Sequence, residues 1–432
     1  MATEVHSESE APAFGSRYLM DESLVFQQNA WDHVPPPDDQ GEKIDEAIAR
    51  QRSCPVSDDK KLTYNSKPAY FWDIFYRNNQ SNFFKDRKWL QREFPQLEEI
   101  TTEDAGLKSV LEVGCGAGNA VFPLLASNKN PQLRINACDY SKHAVRVVRS
   151  NPLYSNPPCG SIHSSIWDLT SQTLPEGLGS QSVDIIIMVF VLSALHPDEW
   201  PQAIANVYTL LKPGGMVLLR DYGRHDLAQL RFKEGRLLED NFYVRGDGTR
   251  VYFFEPTELA KLFTGSDVEM EVDGAKIRTL KIVQREERAE DASSTPLSIE
   301  SEPVELSSGD MNTPLPHEST PNIQDGLGEE VSLIAKLSLS DASGTPPVST
   351  ETEQPAADTE SLDARAAFFA TPVPEPPSNL AQSPSPASLP PHPLFATVQL
   401  GVDRRLIVNR KRQLKMYRVW LQGEFRKTGS MS

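Results

Sequence analysis

Three glycines in one short loop are the residues whose types and spacing most clearly predict chemistry. Residues 110–119 read VLEVGCGAGN, an apolar run with Glu112 near its middle, followed by Gly114, Gly116 and Gly118. Glycines between a strand and a helix leave backbone amides open to a ligand. The spacing is G-x-G-x-G, whereas dinucleotide loops have G-x-G-x-x-G. The loop therefore favours S-adenosylmethionine (SAM) over NAD, with a turn that serves only chain geometry as the alternative.

Two acidic residues end the next apolar runs and suit the nucleoside part of such a ligand. Asp139 follows the glycines by about twenty residues, the separation expected of an acid that accepts both ribose hydroxyls. Asp168 ends the following run, SIHSSIWDLT (161–170). The carboxyl ends of parallel strands meet along one edge of a sheet, so we expect Gly114, Asp139 and Asp168 to face one cleft.

The elements that must position these residues alternate between strands and helices. Residues 183–197 are almost wholly apolar, as a strand covered on both faces must be. A further strand is predicted at 216–223, and the helix between them is expected to end at Pro213 and Gly214. This order predicts an α/β fold, a Rossmann-like class I SAM-dependent methyltransferase with a mostly parallel seven-stranded sheet and helices on both faces.

The acidic character of the chain is concentrated in one segment. The net charge is −17, yet residues 290–393 hold 17 acidic and only two basic residues, together with 17 of the 34 prolines. Such a composition predicts a disordered acidic Pro/Ser-rich insertion. The rest of the chain is close to neutral, so the low isoelectric point does not exclude nucleic acid as a partner.

Cysteine usage and hydropathy indicate in which cellular compartment the protein is expected. The four cysteines form no C-x-x-C pair and no Cys/His cluster with zinc spacing, which favours a reducing compartment and no metal. The acidic N-terminus lacks the apolar stretch of a secretory signal. The longest apolar run, 185–192, is too short to cross a bilayer. We expect a soluble cytoplasmic protein with no membrane contact.

Composition divides the chain into five parts. The predicted parts are an irregular N-terminal arm (1–60), an aromatic and basic helical segment (61–104), a methyltransferase core (105–289), the disordered insertion (290–393), and C-terminal basic strands (394–432). The last part alternates in MYRVWLQGEF, which is a strand signal. The insertion is therefore expected to split one domain, with the final hairpin completing the core sheet.

One part of the chain combines cations with aromatic residues. Lys85, Arg87 and Lys88 follow an aromatic stretch that begins at Tyr70. This pattern suits RNA, whose bases stack on rings and whose phosphates need cations. A surface helix that caps the sheet would look similar, so both interpretations stay open.

Several longer motifs together resemble the tRNA 3-methylcytidine methyltransferases. The motifs are FFKDRKWLQREFP (83–95), LEVGCGAGN (111–119), NPLY (151–154), FVLSALHPD (190–198), LKPGGMVLLRDYGRHDLAQLRFK (211–233), NFYVRGDGTRVYFF (241–254) and DRRLIVNRKRQLKMYRVW (403–420). FGSRYL (14–19) and NAWDHV (29–34) extend the resemblance into the arm and look most like the branch that acts on threonine tRNA.

The resemblance implies methyl transfer from SAM to N3 of the cytidine at position 32 of a tRNA anticodon loop. It makes the tRNA anticodon arm the partner and leaves room for a protein helper. Cofactor-binding residues implied by the family and by the glycine loop are Trp72, Tyr76, Gly114, Gly116, Asp139, Asp168, Leu169 and Val189. Trp72 and Tyr76 are one helical turn apart and are expected to close over the cofactor together.

The substrate side is predicted from charge and from position after the fifth strand. Candidate tRNA contacts are Lys85, Arg87, Lys88, Arg220, Arg404, Arg405 and Arg410. Asp221 is the candidate catalytic residue, positioning the cytosine, with a strand-end cap as the alternative role. For the C-terminal arginines the alternative is a structural tail whose arginines pair with acids on the sheet. Competing functions are a methyltransferase for a protein or a small molecule, and a non-catalytic SAM-binding adaptor.

Overall fold

A computed structural model describes residues 17–266, 268–273, 276–282, 389 and 392–429 of the chain. The insertion predicted at 290–393 lies outside the described residues except for 389, 392 and 393, so its predicted disorder stays a prediction. Within the described residues no helix is long and apolar enough to cross a membrane.

Strands and helices alternate through the middle of the chain. The strands of the described residues are β1 (Ala30–Asp32), β2 (Lys108–Val113), β3 (Leu133–Asp139), β4 (Ser161–Ile166), β5 (Val183–Val189), β6 (Leu211–Tyr222), β7 (Leu237–Glu239), β8 (Phe242–Val244), β9 (Arg250–Tyr252), β10 (Val268–Asp273), β11 (Lys276–Ile282), β12 (Phe395–Asn409) and β13 (Leu414–Lys427). The helices are α1 (Gln40–Ser53), α2 (Asp58–Ser66), α3 (Pro68–Asn79), α4 (Leu90–Glu93), α5 (Pro95–Glu99), α6 (Val121–Ser127), α7 (Lys142–Ser150), α8 (Pro152–Ser155), α9 (Trp200–Leu210), α10 (Leu227–Leu230) and α11 (Pro256–Thr264).

One mixed sheet organises the molecule. Its strand order is β1-β12-β13-β6-β5-β2-β3-β4. The five strands β6, β5, β2, β3 and β4 are parallel to one another. Beyond β6 the sheet continues through β13, β12 and β1, and each of these strands pairs antiparallel with the one before it. The C-terminal hairpin therefore continues the sheet of the core. In the sequence, it follows the segment that the structure does not describe.

The fold class predicted from the sequence is confirmed, and the strand number is corrected from seven to eight. The additional strand is β1, which pairs Ala30 with Ile407 and Asp32 with Arg405 at the edge of the sheet. Three residues are too short for an alternating pattern to identify a strand. The helix before β6 also ends earlier than predicted, at Leu210 instead of Pro213.

Alternate residues of the central strands face two hydrophobic clusters, one on each face of the sheet. Leu111 and Ile186 belong to one cluster, and their neighbours Val110 and Ile185 belong to the other. Helices cover both faces, as a parallel sheet requires. Each fully buried side chain of this size contributes about 1.5–3 kcal/mol. A rigid sheet therefore fixes the ends of β2, β3, β5 and β6, where the site lies.

Candidate active site

Two neighbouring side chains lie close to the backbone of the glycine loop after β2. Gly114 and Gly116 have φ angles of 61° and 55°, in the left-handed region that favours glycine. A Cβ on Gly114 would lie 2.6 Å from a methyl carbon of Val191. A Cβ on Gly116 would collide with the Tyr76 hydroxyl group. The loop is thus bare because neighbouring side chains already occupy the space a Cβ would need.

Asp139 ends β3 next to this loop and is 5% exposed. Its carboxylate accepts the backbone N–H groups of Gly116, at 2.9 Å, and Ser141, at 2.8 Å. Burial raises the pKa of Asp139 to about 6, while the two amide hydrogen bonds act in the opposite direction. Each oxygen accepts one amide, and a carboxylate oxygen can accept a second donor such as a ribose hydroxyl.

Two aromatic residues of α3 form one wall of a cleft above the glycine loop. Trp72 and Tyr76 stack with ring centroids 5.9 Å apart and an interplanar angle of 25°. The spacing of one helical turn places both rings on the same side of α3. Asp139, Asp168, Leu169 and Val189 also line this cleft. Trp72 and Tyr76, which lie one helical turn apart in the sequence, therefore both line the cleft.

Asp168 and Leu169 follow β4, and Val189 ends β5. The Oδ1 atom of Asp168 accepts the N–H of Thr170 at 2.8 Å and its hydroxyl at 2.7 Å. Asp168 is exposed, so its carboxylate is accessible from the cleft. Leu169 and Val189 are buried and give this part of the cleft an apolar surface.

The residues present fit SAM. Of the eight residues predicted to bind the cofactor, seven line one cleft, and Gly116 lies just behind it, between Asp139 and Tyr76. A bare glycine loop, a buried carboxylate and an aromatic wall match a ligand with a ribose, an adenine ring and a short polar tail. SAM is the cofactor of this fold family.

The ends of β5 and β6 form the other part of the cleft, and sequence reasoning missed two of its residues. Phe190 and Tyr222 have ring centroids 4.7 Å apart, and the Arg245 guanidinium lies 5.6 Å from the centre of the Tyr222 ring. All three line the cleft. Phe190 has a φ of 58°, and a non-glycine residue in this region often marks a functional site. Neither Phe190 nor Arg245 had a sequence signal apart from the motifs 190–198 and 241–254.

The structure favours the strand-end cap for Asp221 over contact with a base. Asp221 is fully buried and does not line the cleft. Its carboxylate accepts the backbone N–H groups of Ser193, at 3.0 Å, and Tyr222, at 2.9 Å. Burial raises its pKa to about 6. Asp221 therefore holds the loop that carries Ser193 from behind the cleft wall.

The prediction that Arg220 contacts tRNA is wrong. Arg220 is 3% exposed and is paired with Asp403, and it donates to Gln422 Oε1 at 2.7 Å. Its guanidinium lies between two rings, 4.9 Å from the centre of Trp89 and 4.8 Å from that of Trp420. Position at the end of β6 was a misleading signal, because β13 and the segment before the core cover this residue.

Arg405 is likewise a structural residue, as the alternative for the C-terminal tail proposed. It is 5% exposed, and its guanidinium lies 2.9 Å from Asp403, 3.3 Å from Asp32 and 3.2 Å from Glu93. Three carboxylates surround one cation, so no part of Arg405 faces a phosphate. The predicted tRNA contact at Arg405 is therefore wrong.

Arg87 faces the cleft instead of the outer surface. Its side chain is 12% exposed and lies 3.5 Å from the carboxylate of Glu112. Glu112 is buried below the glycine loop, and burial raises its pKa to about 8 even though Arg87 acts to lower it. Arg87 also lines the cleft, so its predicted contact with tRNA stays a prediction.

The remaining predicted tRNA contacts lie at the surface. Lys85, Lys88 and Arg410 are exposed, and Arg404 is half-buried. In the part of the chain that the structure describes, no group of three or more His, Cys, Asp or Glu side chains is arranged to hold a metal ion.

Comparisons with known proteins show which family the chain belongs to. A family model described as a methyltransferase domain matches residues 111–217. The tRNA(Thr) (cytosine(32)-N(3))-methyltransferase of Saccharomyces cerevisiae is 50% identical over 253 residues, which cover 58% of this chain and 40% of that protein. A solved SAM-dependent methyltransferase of Methanosarcina mazei is 20% identical and covers 41% of this chain and 86% of its own, with a TM-score of 0.31, too low to add to the assignment.

Two further relatives are matched over most of their length. A tRNA N(3)-cytidine methyltransferase of Xenopus tropicalis is 40% identical over 295 residues, which cover 61% of this chain and 86% of that protein. The tRNA N(3)-methylcytidine methyltransferase of Schizosaccharomyces pombe is 47% identical over 276 residues, which cover 64% of this chain and 87% of that protein. With similarity of this extent, the chain belongs to the family of tRNA N(3)-methylcytidine methyltransferases.

Proposed function

We propose that this protein methylates N3 of the cytidine at position 32 in the anticodon loop of a threonine tRNA, with SAM as methyl donor. The observation that carries the proposal is the cleft itself. Residues that fit SAM lie beside an aromatic and guanidinium surface at the ends of β5 and β6. The named activity of the S. cerevisiae relative supports the choice of threonine tRNA and of position 32.

The chemistry places few demands on proton transfer. Bound SAM supplies an electrophilic methyl group, and N3 of neutral cytosine carries the lone pair that attacks it. No proton has to be removed from N3 first, so the protein's task is alignment, and well-oriented reactants gain a large rate factor. N3 lies on the Watson–Crick edge, so the base must be unpaired or turned out of the stack.

We assign alignment of the base to the part of the cleft at β5 and β6. Phe190 and Tyr222 offer ring faces on which a turned-out cytosine can stack. Arg245 carries donors that suit the carbonyl oxygen of cytosine, and it is already held beside Tyr222 by hydrogen bonds to the Arg250 carbonyl at 3.1 Å and to Thr249 Oγ1 at 3.4 Å. Asp221 contributes by fixing the backbone of Tyr222 and Ser193.

The cofactor contacts remain those predicted from the sequence. We assign the ribose to Asp139, the adenine amine to Asp168, and packing on the adenine ring to Leu169 and Val189. Trp72 and Tyr76 cover the cofactor from α3. The burial of Asp139 and the exposure of Asp168 within one cleft support this division.

The tRNA arm is assigned to the exposed cations on the two segments that flank the core. Lys85 and Lys88 lie in the segment between α3 and α4, and Phe83 and Phe84 beside them line the cleft. Arg404 and Arg410 lie on the C-terminal hairpin. A cytoplasmic location is also part of the proposal, which leaves room for a protein helper.

Nucleoside mass spectrometry of tRNA tests the function in cells. A strain that lacks the gene should lose 3-methylcytidine from threonine tRNA, and the wild-type gene should restore it while the Asp139→Ala variant does not. Purified protein without additions tests for the helper, since activity that appears only after cell extract is added requires one. Fractionation of a tagged chain tests the location. Unchanged 3-methylcytidine in the deletion strain would contradict the proposal and favour a protein or small-molecule acceptor.

A further inference from the structure

Asp73 lies on α3 between the two aromatic residues of the cleft wall, and its side chain points away from the cleft. Its Oδ1 atom accepts the Ser141 hydroxyl at 2.7 Å and the His143 N–H at 3.3 Å. Lys142 Nζ lies 3.8 Å from Oδ2, and His143 Nδ1 lies 3.3 Å from Oδ1. These hydrogen bonds lower the pKa of Asp73 although burial opposes them. An ionised carboxylate of α3 is therefore fastened to the first turn of α7.

Ser141 connects this carboxylate to the proposed ribose-binding acid. Ser141 is fully buried at the N-cap of α7. Its backbone N–H donates to Asp139 Oδ1 at 2.8 Å, and its hydroxyl donates to Asp73 Oδ1. One residue thus binds the acid at the end of β3 through its backbone and the helix α3 through its side chain.

The rest of α3 contacts the cofactor loop and leads into the basic segment. Tyr76 lies directly over Gly116. Phe75 packs edge-on against Phe83 with ring centroids 4.8 Å apart. The exposed Lys85 follows two residues later. The position of α3 therefore determines both the aromatic wall of the cofactor site and the place of the first tRNA-binding cations.

We infer that Asp73 is a positioning residue that fastens α3 to the Asp139–Ser141 junction and thereby couples cofactor binding to tRNA binding. The tRNA half of this inference rests on the proposed function. A ligand that contacts Asp139 on one side and Trp72 and Tyr76 on the other stabilises the fastened arrangement of α3. By thermodynamic reciprocity, each ligand must then strengthen the binding of the other.

The alternative is that apolar packing alone holds α3. Phe75, Tyr76 and Ala144 form a small cluster between α3 and α7, and it would persist without Asp73. A merely structural carboxylate would change the melting temperature when removed but leave the affinity for SAM and the coupling intact. The two accounts therefore differ in ligand affinity, not in folding.

Isothermal titration calorimetry with SAM, in the absence of RNA, decides the cofactor half. Asp73→Ala should raise the dissociation constant about tenfold, the effect of losing one charge-assisted hydrogen bond at a half-exposed site. Asp73→Asn keeps an acceptor for the Ser141 hydroxyl and should stay within about threefold of wild type. Lys142→Ala, the matched control, removes only the 3.8 Å neighbour and should bind SAM like wild type. Wild-type affinity in a folded Asp73→Ala variant, or equal losses in Asp73→Ala and Asp73→Asn, would overturn this half.

Binding of a fluorescent anticodon stem-loop, with and without S-adenosylhomocysteine, decides the tRNA half. The cofactor product should tighten RNA binding several-fold in wild type, and Asp73→Ala should remove that gain. Equal gains in both proteins would overturn the coupling. Failure of wild type to bind the RNA at all would contradict the proposed function, while the calorimetry would still decide the cofactor half.

Hydrogen exchange of the wild-type protein provides a measurement that needs no variant. Amides of residues 68–79 and 80–89 should exchange more slowly when SAM is bound. Protection confined to the glycine loop, with α3 unchanged, would overturn the inference even if Asp73→Ala does not fold.

Discussion

Two groups of cations in this chain look alike in the sequence and differ in their surroundings. Arg220, Arg405 and Arg418 are all less than 6% exposed and surround the ring of Trp420, with guanidinium carbons 4.8 to 5.9 Å from its centre. Lys85, Lys88 and Arg410 are exposed on the segments that flank the core. The first group stabilises the fold, and the second is the group that we propose contacts the phosphate backbone of tRNA.

The difference lies in the acids that surround the buried group. Asp403 pairs with both Arg220 and Arg405, and Asp226 accepts from Arg418 Nε at 2.8 Å. Desolvated cations need such partners, since an unpaired buried charge is strongly destabilising. Counting positive residues in a segment therefore overestimates its capacity for RNA. Cations that alternate with acids along paired strands are better interpreted as internal ion pairs.

The largest effect that separates the two groups is on stability. Arg405→Met should lower the free energy of unfolding by about 3–5 kcal/mol, because Asp32, Glu93 and Asp403 would lose their shared cation. Arg410→Met, the matched exposed control, should change it by about 0.5 kcal/mol or less. Urea denaturation measures both, and equal losses in the two variants would break the comparison.

The exposed group should instead affect tRNA binding. Replacing Lys85, Lys88 and Arg410 together with alanine should weaken tRNA binding and flatten the plot of log affinity against log salt by roughly 0.7 for each lost phosphate contact in single-stranded regions. The melting temperature and the affinity for SAM should remain those of wild type. An unchanged salt slope would show that the tRNA uses a different surface.

Arg87→Met should lower the folding stability by an amount that depends on pH. The pKa of Glu112 is about 8 in the folded protein, above its value in an unfolded chain, so folding stability falls as pH rises through this interval. Arg87→Met should raise this pKa further, so the deficit should grow as pH rises above 8, by up to about 1.4 kcal/mol for each pH unit until the variant's own pKa is passed. Below pH 7 Glu112 is protonated in both proteins, so the variant should lose much less. A deficit that is the same at pH 6.5 and pH 9 would contradict the Arg87–Glu112 pairing.

The smallest expected effect concerns Asp139. Its pKa is about 6, so the carboxyl is protonated in much of the free protein at pH 5 and ionised at pH 7.5. Ionised Asp139 is the better acceptor for ribose hydroxyls, so SAM affinity should rise several-fold between these values and then level off. Asp139→Asn should bind weakly, without this rise. A wild-type profile that matches that of Asp139→Asn would assign the titration to another group.

The meeting of several proposed cofactor residues in one cleft could be predicted from the sequence because these residues follow strands directly. Gly114, Asp139 and Asp168 each come at or just after the end of an apolar run, and parallel strands bring such ends together. Trp72 and Tyr76 were implied by the family resemblance, and their one-turn spacing on one helix is consistent with both rings lining the cleft.

The part of the cleft proposed for the substrate was predicted poorly, because segments distant in the sequence decide which of its side chains are buried. Arg220 directly precedes Asp221 and Tyr222 at the end of β6, but β13 and Trp89 bury it. Phe190 reaches the cleft through a left-handed backbone angle that an apolar run does not indicate. The edge strand β1 was missed because its partner β12 lies more than 360 residues later in the chain.

Methylation of a defined tRNA by the purified protein tests the central claim most directly. Threonine tRNA transcript, SAM and wild-type protein should yield 3-methylcytidine at position 32, located by mass spectrometry of nuclease fragments. A transcript with uridine at position 32 and the Asp139→Ala variant should both give none. Methylation at another nucleotide, or equal methylation of the uridine-32 transcript, would contradict the account.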